Sequence, residues 1–221
     1  MITSAARLLA LLALGAPLAL AQAPAPSSDA NQEPEPLPRV DPADELKGAA
    51  LVSALREGGL VLYLRHADQG KLRQPPDCAV KQLTDEGEAQ ARRVGEALRR
   101  TGARIGTFLT SPLCRARQTA GLLGVGEAAP DPRLALTSQP EVREARMALF
   151  SVPPAAGTTT LLVSHVHGSQ KSGERLFIER AGIVAYRPDG KGGATPVARI
   201  PPQAWDAIFA EAGLAPARPG P

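Results

Sequence analysis

The stretch VLYLRHAD, residues 61–68, decides the fold, because a run of apolar, strand-like residues ends there abruptly in Arg65 and His66. A buried strand tolerates charge badly, so the pair belongs where the strand leaves the core and meets solvent or a ligand. A second stretch has the same form: TTTLLVS, residues 158–164, reads as a buried strand and also runs into a histidine, His165. Ile105 to Leu109 forms a short third strand, followed by Thr110-Ser111-Pro112, which reads as a helix start with proline near its first position and continues through Leu113 to Leu123.

The segments between these strands carry helical spacing. Asp44 to Leu55 repeats apolar residues at Leu46, Ala49, Leu51 and Leu55 and is stopped by Gly58-Gly59. Thr84 followed by Asp85, Glu86 and Glu88 is an N-cap with acids in the first turn, leading to a helix ended by Gly102. Gln69 to Val80 is a polar, proline-bearing loop. Leu134 to Leu136 is expected as a short strand, and Pro140 to Phe150 as a helix with Val142, Ala145, Met147 and Leu149 available for packing. Ile183–Tyr186 and Val197–Ile200 flank Pro188-Asp189-Gly190 as an antiparallel hairpin, before a last helix from Trp205 to Ala212. Strands alternating with helices imply an α/β fold with an open, mostly parallel central sheet and helices on both faces. Ligands bind outside the carboxyl ends of such strands, so Arg65-His66, Thr110-Ser111 and Ser164-His165 should converge on one rim.

The ends of the chain read differently. Residues 1–21 have a short positive start, an apolar run from Leu8 to Leu20 and a small-x-small cleavage site at Ala19-Leu20-Ala21, the pattern of a signal peptide. The apolar run is shorter than the roughly 20 residues a bilayer span requires, which weighs against a permanent anchor and leaves no expected span once the leader is removed. Residues 22–43 are rich in proline and read as a disordered linker. Residues 44–214 form the expected folded domain, and residues 215–221 a loose tail. Loss of the leader removes Arg7 and leaves 24 basic against 22 acidic residues. That balance, with one Trp, two Tyr and four Phe in 221 residues, argues against nucleic acid as a partner. Cys78 and Cys114 are the only cysteines, and in an exported protein such a pair is a candidate disulfide, the other reading being two buried thiols.

Arg65 and Arg115 supply guanidinium forks that match tetrahedral oxyanions, and two histidines supply ring nitrogens able to attack or donate, which together suggest phosphoryl transfer. Ser111 and the start of the following helix add hydroxyl and N–H donors. LRHA at 64–67, TSPLCRARQTA at 110–120 and LLVSH at 161–165 resemble, in order, the three signatures of the histidine phosphatase superfamily, branch 1. The loop and helix QLTDEGEAQARRVGEAL resembles it too, and the likeness covers about residues 60 to 187. The resemblance implies a three-layer, phosphoglycerate mutase-like α/β fold and a covalent phosphohistidine intermediate, with no metal and no cofactor. It assigns His66 as nucleophile, Arg65 and Arg115 as phosphate ligands, and His165 as the second histidine of the pocket.

That implies an exported, periplasmic or secreted phosphohydrolase acting on a small phosphorylated substrate, a phosphomonoester or a phosphohistidine. The general acid is left open among Asp68, Glu141, Glu144 or none. Three other readings compete: a module that binds phosphorylated ligands without turnover, a phosphoglycerate-mutase-type phosphotransferase, and a zinc site built on His165, His167 and His66. The last leaves Arg65 and Arg115 without a purpose, since two cations beside a dication oppose its binding.

Overall fold

In the computed structural model the described residues are 40–70, 78–136, 139–165 and 178–215. The expected signal peptide, residues 22–39 of the linker, His167 and residues 216–221 of the tail lie outside them.

Strand β1 (Val61–Arg65) runs through the middle of a six-stranded sheet. Its neighbours are β4 (Thr159–Ser164), parallel, and β5 (Ile183–Pro188), antiparallel. Beyond β4 lie β2 (Ile105–Thr110) and β3 (Ala129–Pro130), and beyond β5 lies β6 (Ala194–Ile200), giving the order β3-β2-β4-β1-β5-β6. The sheet is therefore mixed, with a parallel half, β3-β2-β4-β1, extended by an antiparallel hairpin. Parallel strands covered on both faces read as continuous apolar runs, which is why β1 and β4 stand out in the sequence.

Alternation along β1 splits the core into two layers. Leu62 and Leu64 face a large cluster that gathers α1 (Gly48–Glu57), α2 (Asp85–Thr101), α3 (Cys114–Leu123) and α5 (Trp205–Glu211) through Leu55, Val94, Leu98, Leu123 and Phe209. Val61 and Tyr63 face a smaller one, covered by α4 (Pro140–Phe150), where Phe150 stacks on Tyr186 at 4.6 Å and meets Tyr63 edge-on at 5.3 Å.

Four local expectations need correction. The first helix begins at Gly48, because the backbone of Lys47 is extended (φ −132°, ψ 162°); the N–H of Leu46 before it is used by the Val197 carbonyl of β6 at 2.7 Å. Leu134–Leu136 is not a strand: Asp131 accepts from Arg133 N at 2.9 Å and caps a single 3-10 turn, Pro132–Leu134, and the strand precedes it as β3. Helix α3 starts at Cys114 rather than around Thr110-Ser111-Pro112. In α4 Leu149 is buried as expected, with Phe150, but Met147 is exposed and the buried place beside it is taken by Arg146, whose guanidinium donates to the carbonyls of Arg133 (3.0 Å) and Ala135. Among the described residues no helix is long and apolar enough to cross a membrane.

Cys78 and Cys114 are joined by a disulfide across 36 residues of sequence. The Gln118 amide donates to the carbonyls of Cys78 and Val80 (both 2.8 Å) and accepts from Gln82 N (2.8 Å), so the same short loop is fastened to α3 twice. Closing a loop of this length is worth about 4 kcal/mol by the chain-entropy estimate. Reduction, read by thermal unfolding with and without reductant, is expected to lower Tm by about 10 °C for a domain of this size. An unchanged Tm would mean that the bridge does not restrain the unfolded chain.

Candidate active site

Main-chain hydrogen bonds at the carboxyl ends of β1, β4 and β2 set the site. His66 N donates to Ser164 O at 2.9 Å and Ser111 N to Val163 O at 2.8 Å, which brings His66, His165 and Ser111 side by side on the rim of three adjacent parallel strands. Arg115 reaches the same point from the first turn of α3. The four residues singled out in the sequence, Arg65, His66, Arg115 and His165, thus occupy one place.

The ring positions follow from what each partner is able to do. His66 Nδ1 lies 2.8 Å from the Ala67 carbonyl, which only accepts, so Nδ1 carries the proton. Its Nε2 is then unprotonated and accepts from Arg115 Nε at 3.2 Å. His165 Nδ1 accepts from the other arm of the Arg115 guanidinium at 3.1 Å, so its proton sits on Nε2 and is donated to Ser111 Oγ at 2.8 Å. One guanidinium thus bridges the lone pairs of two neutral imidazoles whose ring centres are 5.3 Å apart.

Burial and charge hold both rings neutral. His66 and His165 are 4% and 2% exposed. Burial, with further lowering by Arg115, pushes the His66 pKa from the usual 6.5 down to about 4, although the Ala67 carbonyl opposes the shift. Burial first, then Arg115 and His66, pushes His165 down to about 2. Burial also lowers the guanidinium pKa values of Arg65 and Arg115, with Arg180 the next cause in each. The pocket is a concentration of positive charge and hydrogen-bond donors in a poorly hydrated recess, the electrostatic complement of an oxyanion.

Ser111 is fully buried behind His165, where its Oγ also accepts from Leu113 N at 3.3 Å. It orients the ring. Arg65 donates to the Ile178 carbonyl at 2.8 Å, which fixes its guanidinium at the strand end. The three carboxyls considered as general acid are engaged or remote: Asp68 accepts from Arg180 and from Thr84 Oγ1 (2.8 Å), while Glu141 and Glu144 are exposed on α4. Among the described residues no cluster of three or more His, Cys, Asp or Glu side chains is arranged to hold a metal ion.

Three contributors escaped sequence reasoning. Thr119 Oγ1 accepts from Ala67 N at 3.0 Å and donates to Arg115 O at 2.8 Å, tying Ala67, the residue whose carbonyl orients His66, to α3. Its spacing of four from Arg115, on one helix face, was the available signal. Tyr63 supports His165 from below, its hydroxyl donating to the His165 carbonyl at 3.1 Å. Arg180, on the turn before β5, had no signal in its spacing. The loop after His66 is held by α2, whose cap Thr84 accepts from Gly87 N at 3.0 Å while Asp68 O packs against Gly87 so closely that a Cβ there would lie 2.0 Å away.

Geometry and comparison agree on the class. A family model of the histidine phosphatase superfamily (branch 1) matches residues 64–151, a span that includes Arg65, His66 and Arg115, and supports membership of that superfamily. Among individual proteins, it is 27% identical over 143 residues to an uncharacterized protein of Picosynechococcus sp., covering 57% of this chain and 82% of the relative. The fold is similar to that of the protein histidine phosphatase SixA, solved in complex with tungstate, with a TM-score of 0.51 and 21% identity, covering 65% of this chain and 97% of that one.

Proposed function

We propose that the protein is an exported, metal-independent phosphohydrolase that removes a phosphoryl group from a small phosphomonoester, or a phosphohistidine, through a phosphohistidine at His66. The observation that carries this is the unprotonated Nε2 of His66, held against the Arg115 fork by the bond from Nδ1 to Ala67. A phosphoryl dianion entering the pocket takes over the Arg115 donors and frees that lone pair. Nε2 then attacks phosphorus in line: the P–N bond to His66 forms, the bond to the leaving group breaks (P–O in a phosphomonoester, P–N in a phosphohistidine), and Arg65, Arg115 and His165 stabilise the equatorial oxygens. The dianion also offsets the guanidinium charges that depress His165, favouring its protonated, donating form. Water attacks next, breaking the P–N bond and releasing inorganic phosphate.

With Asp68 committed to Arg180 and Thr84, the arrangement suits leaving groups that depart with little protonation. The signal-peptide pattern of residues 1–21 supports export. The direct test is release of phosphate from a panel of aryl phosphates and phosphoramidate, with and without EDTA. Turnover insensitive to EDTA is expected, and binding without turnover would overturn the proposal.

The pH profile carries a second prediction. His66 is nucleophilic only when neutral, and its depressed pKa keeps it neutral well below the usual range. The acid limb of kcat/KM, divided by the substrate's own protonation near pH ~6, is expected at about pH 4. A limb at 6.5, the ordinary histidine value, would contradict the buried, charge-depressed imidazole.

A further inference from the structure

Arg180 is not needed for phosphoryl transfer as derived above, yet its charge bears on Arg65, His66 and Arg115 alike. The amide next to it, Ala181 N, donates to the carbonyls of Arg65 (3.1 Å) and His66 (3.3 Å), which fastens this turn directly to the nucleophile's own backbone. Ala181 sits at φ 59°, left-handed backbone that a Cβ-bearing residue seldom adopts and that clusters at functional sites. The Arg180 guanidinium donates to Asp68, two residues beyond His66, and to the Gln69 carbonyl at 3.1 Å. The neighbouring Glu179 is turned the other way, to Arg199 at 3.2 Å.

Charge accounts for what this arrangement is able to do. A single phosphoryl group presents three equatorial oxygens, and Arg65, Arg115 and His165 already answer them. A third guanidinium close enough to lower the pKa of both Arg65 and Arg115 is repelled by them and is held by one carboxylate. The Arg180–Asp68 pair has side chains 36% and 34% exposed, so it is a rim pair of low net worth, about 0–1 kcal/mol. A carboxylate on an incoming substrate can replace Asp68 on Arg180 at small cost, by a fork-to-fork exchange. An uncharged substrate gains nothing from Arg180.

We propose that Arg180 is a specificity-determining residue that selects phosphorylated substrates carrying a second anionic group, a carboxylate in particular, on the part that leaves, with Asp68 as the internal placeholder for that group. This rests on the phosphohydrolase reading above and adds the substrate class to it.

The test compares 3-carboxyphenyl phosphate with 3-carbamoylphenyl phosphate, two substrates of matched shape that differ in one charge. The native enzyme is expected to favour the carboxylate about tenfold in kcat/KM, the increment of one charge-assisted hydrogen bond, with the difference in KM. Arg180→Gln should bring the ratio to near one, chiefly by raising KM for the carboxylate substrate. Asp68→Asn, which removes the competing anion and leaves Arg180 in place, should raise the ratio above the native value. A native ratio near one, or a ratio that survives Arg180→Gln, overturns the proposal while leaving hydrolysis of both substrates intact. Failure to hydrolyse either substrate strikes the underlying reading instead, and the two outcomes are distinct. Should Arg180→Gln fold poorly, the Asp68→Asn ratio decides: no rise refutes the placeholder role.

Discussion

Replacing His66 with Ala is expected to reduce kcat for an aryl phosphate by about a thousandfold or more, the scale on which loss of a covalent nucleophile is felt. The reasoning is geometric. Of the two imidazoles, only His66 offers a ring nitrogen without a proton whose sole polar contact among the described residues is a displaceable guanidinium and whose opposite nitrogen is fixed by a carbonyl. His165 is tied at both nitrogens, to Arg115 and Ser111, and is placed to assist rather than to attack. Thermal unfolding of the variant beside the parent separates lost chemistry from lost structure. A variant retaining a tenth of the parent's kcat would remove His66 from the nucleophile role.

Arg115→Ala carries the second large effect. One guanidinium holds both rings, at 3.2 and 3.1 Å, and its loss is expected to cost at least about a hundredfold in kcat/KM, as for deletion of a preorganised donor to a developing oxyanion. Arg115→Lys should recover little of this, because a point ammonium on a flexible stem cannot bridge two nitrogens with a planar fork. A separate readout is available in the pH profile. Arg115 is among the causes that depress His66 and the leading charge acting on His165, so removing it lets both rings take up protons at higher pH. The acid limb of the Arg115→Ala variant should therefore move up from about 4 toward 6.5. A variant with reduced rate and an unmoved limb would show that Arg115 binds substrate without setting the state of the nucleophile.

How much of this was legible in the sequence depends on the kind of interaction. β1 and β4 were visible because burial on both faces writes an apolar run, and their polar carboxyl ends because arginine and histidine interrupt it. The start of α2 was visible because capping is local: Thr84 and Gly87 are three residues apart. Arg146 was not, since its acceptors are backbone carbonyls, which leave no trace in side-chain spacing, and an arginine amid Glu141, Arg143 and Glu144 reads as a solvated face. Leu134 is buried as a strand residue would be, yet Asp131 bends the chain into a turn, a choice made by one side-chain bond that hydropathy does not register. Arg180 and Asp68 are 112 residues apart and meet only because the turn before β5 folds back over the end of β1. The site's first four residues were therefore readable from motif order, whereas the residue proposed to select the substrate required the fold.

The central claim is a covalent one, and alkaline quenching tests it most directly. The protein is mixed with phosphoramidate, quenched in base where phosphohistidine survives, digested, and the phosphate located by mass spectrometry and phosphorus NMR. The account predicts a single phosphorylated residue, His66, bonded through Nε2, because Nδ1 is held by the Ala67 carbonyl. Phosphate found on Ser111 or His165, or steady turnover with no phosphorylated residue at any quench time, would contradict it.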